Sequence, residues 1–342
     1  EVYHLSYPSG AFTNIGGDLS YVGTAYTFSV KPLQYEWWVW GKNDFGKLGQ
    51  GNEVSYSSPV QIPGLTWTDI MAGFSDTHGI RSDGTLWGWG RNFVGMTGTN
   101  DRQDRISPVQ VGSDTTWASL SRNASVSAMA TKTDGTLWVW GGADTGCLGL
   151  NDNVNYSSPV QIPGTNWATG EGKISIYQAN TCAIKTDGTL WMWGAGGDGN
   201  LAQNNRTTYS SPRQVGSDTT WSKAFTTGLA LGIKTNGTLW AWGGNLLGGL
   251  AQNDVVYRSS PVQIPGTTWS DALATSYAAL GLKTDGTLWA WGGQDKGQLG
   301  QNSATQYSSP VQIPGTTWSK IGTNSNGFSA VKTDGTLWSW GY

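Results

Sequence analysis

The stretch Lys283-Thr-Asp-Gly-Thr-Leu-Trp-Ala-Trp-Gly292 decides the fold. Asp-Gly readily takes the positive φ angles of a tight type I′ hairpin turn, so two antiparallel strands meet there. In the strand that follows, a side-chain period of two puts both Trp on one face and Leu with the residue between the Trp on the other. Across the chain that middle residue is Val39, Gly88, Val139, Met192, Ala241, Ala290 or Ser339. Neither face is strongly polar, which fits a sheet covered on both sides.

The Trp-x-Trp-Gly tetrad recurs, ending at Gly41, Gly90, Gly141, Gly194, Gly243, Gly292 and Gly341. Ser-Pro segments with prolines at 59, 108, 159, 212, 261 and 310 follow the first six, and each leads to a lone Trp: Trp67, Trp117, Trp167, Trp221, Trp269 and Trp318. Tetrads, lone Trp and Trp37 account for all 21 Trp, so none is left for a separate site. Each unit reads as four strands: one from the lone Trp, one ending before the Asp-Gly turn, the tetrad strand, and an outer strand containing Pro, a residue confined to sheet edges. Repeated units of this kind bury both faces against neighbours by closing into a ring. An open solenoid would need polar capping repeats, and none is visible. The expectation is an all-β, seven-bladed β-propeller of four-stranded antiparallel blades, a single domain over residues 1–342. Its last blade lacks an outer strand, and the N-terminal strand Val2–Leu5, ahead of Phe12-Thr-Asn-Ile15, is expected to complete it and close the ring.

Only 13% of residues are charged and the net charge is −3, against a usual charged share of about 25%. With no run of Lys or Arg there is no footprint for a phosphate backbone, so no nucleic-acid partner is expected. No window approaches the apolar length of a membrane span, so no membrane insertion is expected. The chain opens at Glu1, the start expected of a processed chain or an excised piece. Cys147 and Cys182 occupy non-equivalent repeat positions and read as buried free thiols rather than a disulfide framework.

The turns and the Pro-Gly-Thr-Thr-Trp links barely change between repeats. Residues 71–78, 121–129, 170–181, 225–229, 274–278 and 322–328 differ almost throughout, as do the tetrad-to-Pro links such as 93–106 and 245–258. Chain direction alternates along a meander, so both variable loops emerge on one side of the disc. Loops on a rigid scaffold are where recognition concentrates, although unconstrained loops also drift. Exposed aromatics and arginines would mark binding; the candidates are Phe74, His78, Phe93, Arg102, Arg105, Tyr177, Tyr277 and Phe328.

Catalytic chemistry finds little support. His4 and His78 are the only histidines, and neither has an obvious zinc-binding partner. Asp83, Asp134, Asp187, Asp285 and Asp334, with Asn236 in one copy, sit in hairpins that offer one carboxylate each, which suits turn geometry rather than calcium. No nucleophile elbow or phosphate loop is present, and the run from Gly194 to Gly199 reads as a bend. No cofactor, metal or catalytic residue is expected.

The Gly297-Gln-Leu-Gly-Gln-Asn302 run, with Asp-Gly-Thr-Leu-Trp-x-Trp-Gly, resembles the regulator-of-chromosome-condensation repeat, here of a bacterial or phage type. The resemblance implies a propeller. Among the activities it suggests, nucleotide exchange calls for a protruding insertion and ultraviolet sensing for a Gly-Trp-Arg-His-Thr run; the chain has neither. The expected function is therefore a non-enzymatic recognition or scaffold module, displayed outside the cell, on a cell surface or on a virion, and binding a glycan or protein through the variable face. Inhibition of an enzyme and a purely structural place in a larger assembly are the alternatives.

Overall fold

The structure is a computed structural model, and it describes residues 2–5, 26–29, 36–64, 66–122, 126–323 and 327–341. Antiparallel sheets follow one another along the chain. Blade 1 consists of Trp67–Ala72, Asp76–Arg81, Leu86–Gly90 and Arg105–Gln110; blade 2 of Trp117–Leu120, Ser127–Lys132, Leu137–Gly141 and Tyr156–Gln161. Blade 3 is Ile174–Tyr177, Asn180–Ile184, Leu190–Gly194 and Tyr209–Gln214; blade 4 is Trp221–Thr226, Leu229–Lys234, Leu239–Gly243 and Arg258–Gln263. Blade 5 comprises Trp269–Ala274, Ala278–Lys283, Leu288–Gly292 and Tyr307–Ile313, and blade 6 has three strands, Trp318–Thr323, Gly327–Lys332 and Leu337–Gly341. The Pro-containing strand is the outer one, as its missing amide proton requires. First strands of neighbouring blades touch one another and line the axis.

The expected seven blades are six among the described residues. The first tetrad forms only the pair Trp38–Gly41 with Tyr56–Gln61, which packs Ile62 and Val39 against Trp67 and Trp89 of blade 1. Counting tetrads counts third strands rather than blades. The first repeat has Phe12 where the others have the lone Trp, and Lys31-Pro-Leu-Gln34 where they have the Asp-Gly turn.

Closure by the N-terminal strand is likewise not found. Val2–Leu5 pairs with Tyr26–Ser29, His4 opposite Thr27, and not with Leu337–Trp340. Pairing across a short loop costs less chain entropy than pairing across the whole chain, and Val2-Tyr-His-Leu5 lacks the Ser-Ser-Pro-Val-Gln of the true outer strands. Blade 6 keeps an open edge among the described residues, with Trp338 51% exposed. Residues 12–15 lie outside the described residues.

The hairpin differs in detail from a type I′ turn. Gly84 has φ +75° whereas Asp83 is not left-handed. Gly84 N donates to Arg81 O and Arg81 N to Thr85 O, the pattern of a type I turn followed by a left-handed residue and a bulge. Only Gly fits, because a Cβ there would lie 1.9 Å from the Thr115 carbonyl oxygen. The Asp side chain closes the turn instead: Asp83 Oδ1 accepts from Thr85 N at 3.0 Å and from Thr85 Oγ1 at 2.6 Å. Thr85 Oγ1 in turn accepts from Trp87 Nε1 at 2.8 Å. The same relay recurs from Trp138, Trp191, Trp240, Trp289 and Trp338, with Asn236 replacing Asp in one copy. This accounts for every polar position of Asp-Gly-Thr-Leu-Trp.

The three Trp of a repeat have separate tasks. The lone Trp is buried and meets the second tetrad Trp edge-on or tilted in every blade and the first in four of the six, as with Trp67 at 6.2 Å from Trp87 and 5.6 Å from Trp89. A cation lies over the lone Trp and the first tetrad Trp: Arg81 in blade 1, then Lys132, Lys185, Lys234, Lys283 and Lys332. The second tetrad Trp reaches into the preceding unit and donates to a loop carbonyl: Trp89 to Lys47, Trp140 to Met96, Trp193 to Cys147, Trp242 to Asn200, Trp291 to Gly249 and Trp340 to Gln298, at 2.8 to 3.0 Å. The hydrophobic cores accordingly lie between blades rather than within them.

Replacing Lys234 by Met should lower stability by about 1 kcal/mol, the size of a partly desolvated cation–π contact. The Lys234 ammonium also donates to Asp218 Oδ2 at 2.5 Å. That bond, followed by the one from Thr220, holds the Asp218 carboxyl down at about 2. A depressed carboxyl contributes stability that is present above its ordinary pKa of 3.8 and is lost as pH falls through about 2. The gap in urea midpoint between Lys234→Met and wild type should therefore narrow from pH 5 to pH 2 without closing, since the cation–π contact survives acidification; a constant gap would refute the coupling.

Candidate interaction face

Hydrogen bonds sort the connections onto two sides. On one side the first-to-second and third-to-fourth loops bond to each other, Arg91 N to Ser75 O, Gly142 N to Val126 O, Ala195 N to Ala179 O and Gly293 N to Tyr277 O. On the other, hairpin turns bond to the links between blades, as in Ser82 N to Thr66 O and Trp269 N to Gly237 O. The variable segments thus share a loop side, and the near-constant ones a turn side.

Within each third-to-fourth loop the diversity sits on a two-residue tip. The tips are Asp44-Phe45, Phe93-Val94, Asp144-Thr145, Gly197-Asp198, Leu246-Leu247 and Asp295-Lys296. Each is followed by a Gly with positive φ, from Gly46 to Gly297. In four of the loops, a side-chain amide before the tip accepts from a backbone N–H beyond it: Asn43 from Leu48, Asn92 from Thr97, Asn245 from Leu250 and Gln294 from Leu299. The clasp fixes the loop, and the tip is free to vary.

The candidate residues divide by strand position. Phe74 is 68% exposed in a first-to-second loop, and its carbonyl accepts from Lys47 Nζ at 3.1 Å. Phe93 is an exposed tip residue; the Arg91 guanidinium lies 4.3 Å from its ring and 4.7 Å from that of Phe45. Tyr277 is half-exposed, Arg102 exposed, and Tyr177 half-buried at a strand end. Arg105 is spent on an ion pair with Asp101 in its own loop.

His78 and Phe328 are not on the face, contrary to expectation. Both belong to second strands, which are flanked in the sheet and covered by the adjacent blades. Burial pushes the His78 imidazole down to about 4, so the ring is neutral at neutral pH. Its Nε2 lies 3.0 Å from Met96 O and 3.2 Å from the Trp140 indole nitrogen, and its Nδ1 lies 3.5 Å from the buried Asp76 carboxyl. Phe328 packs 6.4 Å from Trp340. Cys147 and Cys182 are buried free thiols, pushed up by burial to about 11 and about 12. Among the described residues no group of three or more His, Cys, Asp or Glu is placed to hold a metal.

A concavity opens on the loop side. A cleft of about 280 Å³ lies between the loops of blades 3, 4 and 5, walled by Leu246, Leu247 and Tyr277, floored by Leu229, with Asp198 and Gln178 at its polar end. The variable-loop comparison pointed to Tyr277 but missed Asp198, Leu246 and Leu247. The tip positions, aligned repeat by repeat, carry the signal that finds them. A larger hollow of about 540 Å³ on the turn side is lined by Trp221, Lys234 and Trp240. Those residues belong to the bracing repeated in every blade, so that hollow has a structural cause.

Comparison with known proteins agrees with this architecture. The family model for the regulator of chromosome condensation (RCC1) repeat matches residues 36–75, 134–169 and 285–322. The ultraviolet-B receptor UVR8 of Arabidopsis thaliana is 26% identical over 199 residues, a match spanning 57% of this chain and 33% of that receptor. Human WBSCR16 superposes with a TM-score of 0.78 at 18% identity, covering 89% of this chain and 87% of that one. Yeast RCC1 (Prp20), solved bound to Kap60, gives 0.75 at 17% identity over 91% and 79% of the two chains. With its tetrad strands, Asp-Gly turns and interlocked four-stranded blades, the chain folds as a β-propeller whose repeats match the RCC1 repeat model over part of its length.

Proposed function

We propose that the chain is a non-catalytic binding module that engages a protein through its loop side. A single observation carries the reading: loops that differ in every repeat stand on a frame that barely changes, and on that one side tip residues and first-to-second loop residues alike expose large apolar side chains to solvent. Leu246 is 59% exposed and Tyr277 49%, alongside Phe74 and Phe93. Leaving such groups in water forgoes about 25 cal/mol for each Å² that burial would remove. Aromatic anchors on a rigid support lose little entropy on binding, which is how a few residues come to dominate an interface. The yeast structural neighbour, solved bound to Kap60 and described with its binding properties to Gsp1p and histones, supports a protein as the class of ligand. The low charge and the abundance of Ser, Thr, Asn and Gln support display on a cell surface or virion, which fractionation of the expressing cells would test.

Photo-crosslinkers placed at positions 93 and 277 should trap a partner that crosslinkers in the turns at 134 and 285 do not. The variant Phe74→Ser/Phe93→Ser/Tyr277→Ser should lose at least tenfold in affinity for that partner, since each anchor contributes more than about 1 kcal/mol. Its stability should stay within about 0.5 kcal/mol per site, because the three side chains are exposed. Equal capture by wild type and variant would refute the reading.

A further inference from the structure

We infer that the loop-side cleft between blades 3, 4 and 5 receives a protein segment presenting an aliphatic side chain beside a lysine or arginine. The inference rests on the reading that the loop side binds protein, and it narrows that reading to one place and one chemistry.

Three observations select the occupant. The walls Leu246, Leu247 and Tyr277 and the floor Leu229 are apolar, and Leu246 and Tyr277 stand open to solvent. At about 280 Å³ the space suits one or two amino-acid side chains, below the roughly 300 to 1,000 Å³ of sites for larger small-molecule ligands. Asp198 is the only charged side chain in the lining. It is exposed and forms no ion pair among the described residues, so it offers a carboxylate to an incoming cation in a cleft that also presents Leu246, Leu247 and Tyr277.

The polar groups argue against a sugar. Asn245, the amide in the cleft wall, donates to Asp254 O, Asp254 Oδ1 and Val256 O and accepts from Leu250 N. Its hydrogen-bonding capacity is spent on the loop, so this amide is not offered to a sugar hydroxyl. The floor is also set before any ligand arrives. A Cβ on Gly249 would sit 2.5 Å from Leu229 Cδ2, and the Gly249 carbonyl is held by Trp291 Nε1 at 2.8 Å. A preformed site lowers the ordering cost of binding.

The test uses the full chain, ¹⁵N-labelled, titrated with the capped peptide Gly-Ser-Leu-Lys-Ser-Gly and its Leu→Ser and Lys→Glu counterparts. Millimolar binding is expected, with amide shifts at Leu246, Leu247 and Tyr277 and about a tenfold loss for either counterpart. Asp198→Asn should abolish the preference for Lys over Glu while keeping that for Leu over Ser. Equal response to the Lys and Glu peptides overturns the proposal, as does no shift up to about 10 mM. Shifts confined to Phe74 and Phe93 overturn the cleft but leave loop-side recognition standing. Shifts confined to the turns around Asp134 and Asp187 overturn both.

Discussion

Trp242→Ala is expected to cost about 4 kcal/mol of folding stability, the range measured when a buried Trp or Phe is cut to Ala. Trp242 has no exposed surface and sits where blades 3 and 4 meet, in a cluster with Cys182, Leu190, Met192, Leu201 and Trp221. Truncation opens a cavity at that junction and also strands the Asn200 carbonyl, which the indole N–H reaches at 2.9 Å. Trp242→Phe separates the two contributions: it keeps most of the volume, and its cost should fall to about 1 to 2 kcal/mol. Urea unfolding measures both. Trp240, in the same strand but half-buried, provides the comparison, and Trp240→Ala should cost distinctly less. Equal losses at 240 and 242 would show that the second tetrad Trp does not join the blades.

Arg122→Ala should cost about 3 kcal/mol, because it leaves a largely buried carboxylate without its main partner. Arg122 leaves the first strand of blade 2 and crosses the axis to blade 5, where Nη1 and Nη2 contact the Asp271 oxygens at 2.9 and 3.1 Å. It also pairs with Glu171 of blade 3, and Lys223 of blade 4 approaches Asp271 at 3.4 Å. Burial disfavours the charge on Arg122, yet Asp271 and Glu171 hold the guanidinium above its ordinary pKa. Lys223 offers partial compensation, which places the expected loss toward the lower end of the range for a broken buried pair. The double variant Arg122→Met/Asp271→Leu removes both charges and should recover most of the loss. If it is as unstable as Arg122→Ala alone, the pair does more than neutralise itself.

Much of this fold is written in short-range chemistry and is therefore legible in the sequence. Thr-Asp-Gly-Thr closes its own turn, the tetrad alternates in a strand, and Pro marks the outer edge. What failed was non-local. Whether a tetrad becomes a blade depends on the lone Trp and the cation that brace it, and the first repeat lacks both the Trp and the turn. The closing strand was inferred from a vacancy at one end of the chain, yet Val2–Leu5 found a nearer partner. Counting strand reversals put both classes of variable loop on one side, and the hydrogen bonds between those loops put them there too. His78 and Phe328 were misassigned because the variable segments run past the loops into second strands, where every side chain lies between neighbours. Asp198 was passed over because a Gly-rich bend hid the fact that it occupies a tip.

The clasp beneath four of the tips has a further consequence. Asn245 and Gly248 hold the loop through main-chain contacts and glycine geometry, without using the side chains of Leu246 and Leu247. A change at the tips therefore alters what the surface can hold without reopening the question of whether the chain folds. Such a scaffold can acquire new ligands by single substitutions, in nature or by library selection, at little thermodynamic penalty.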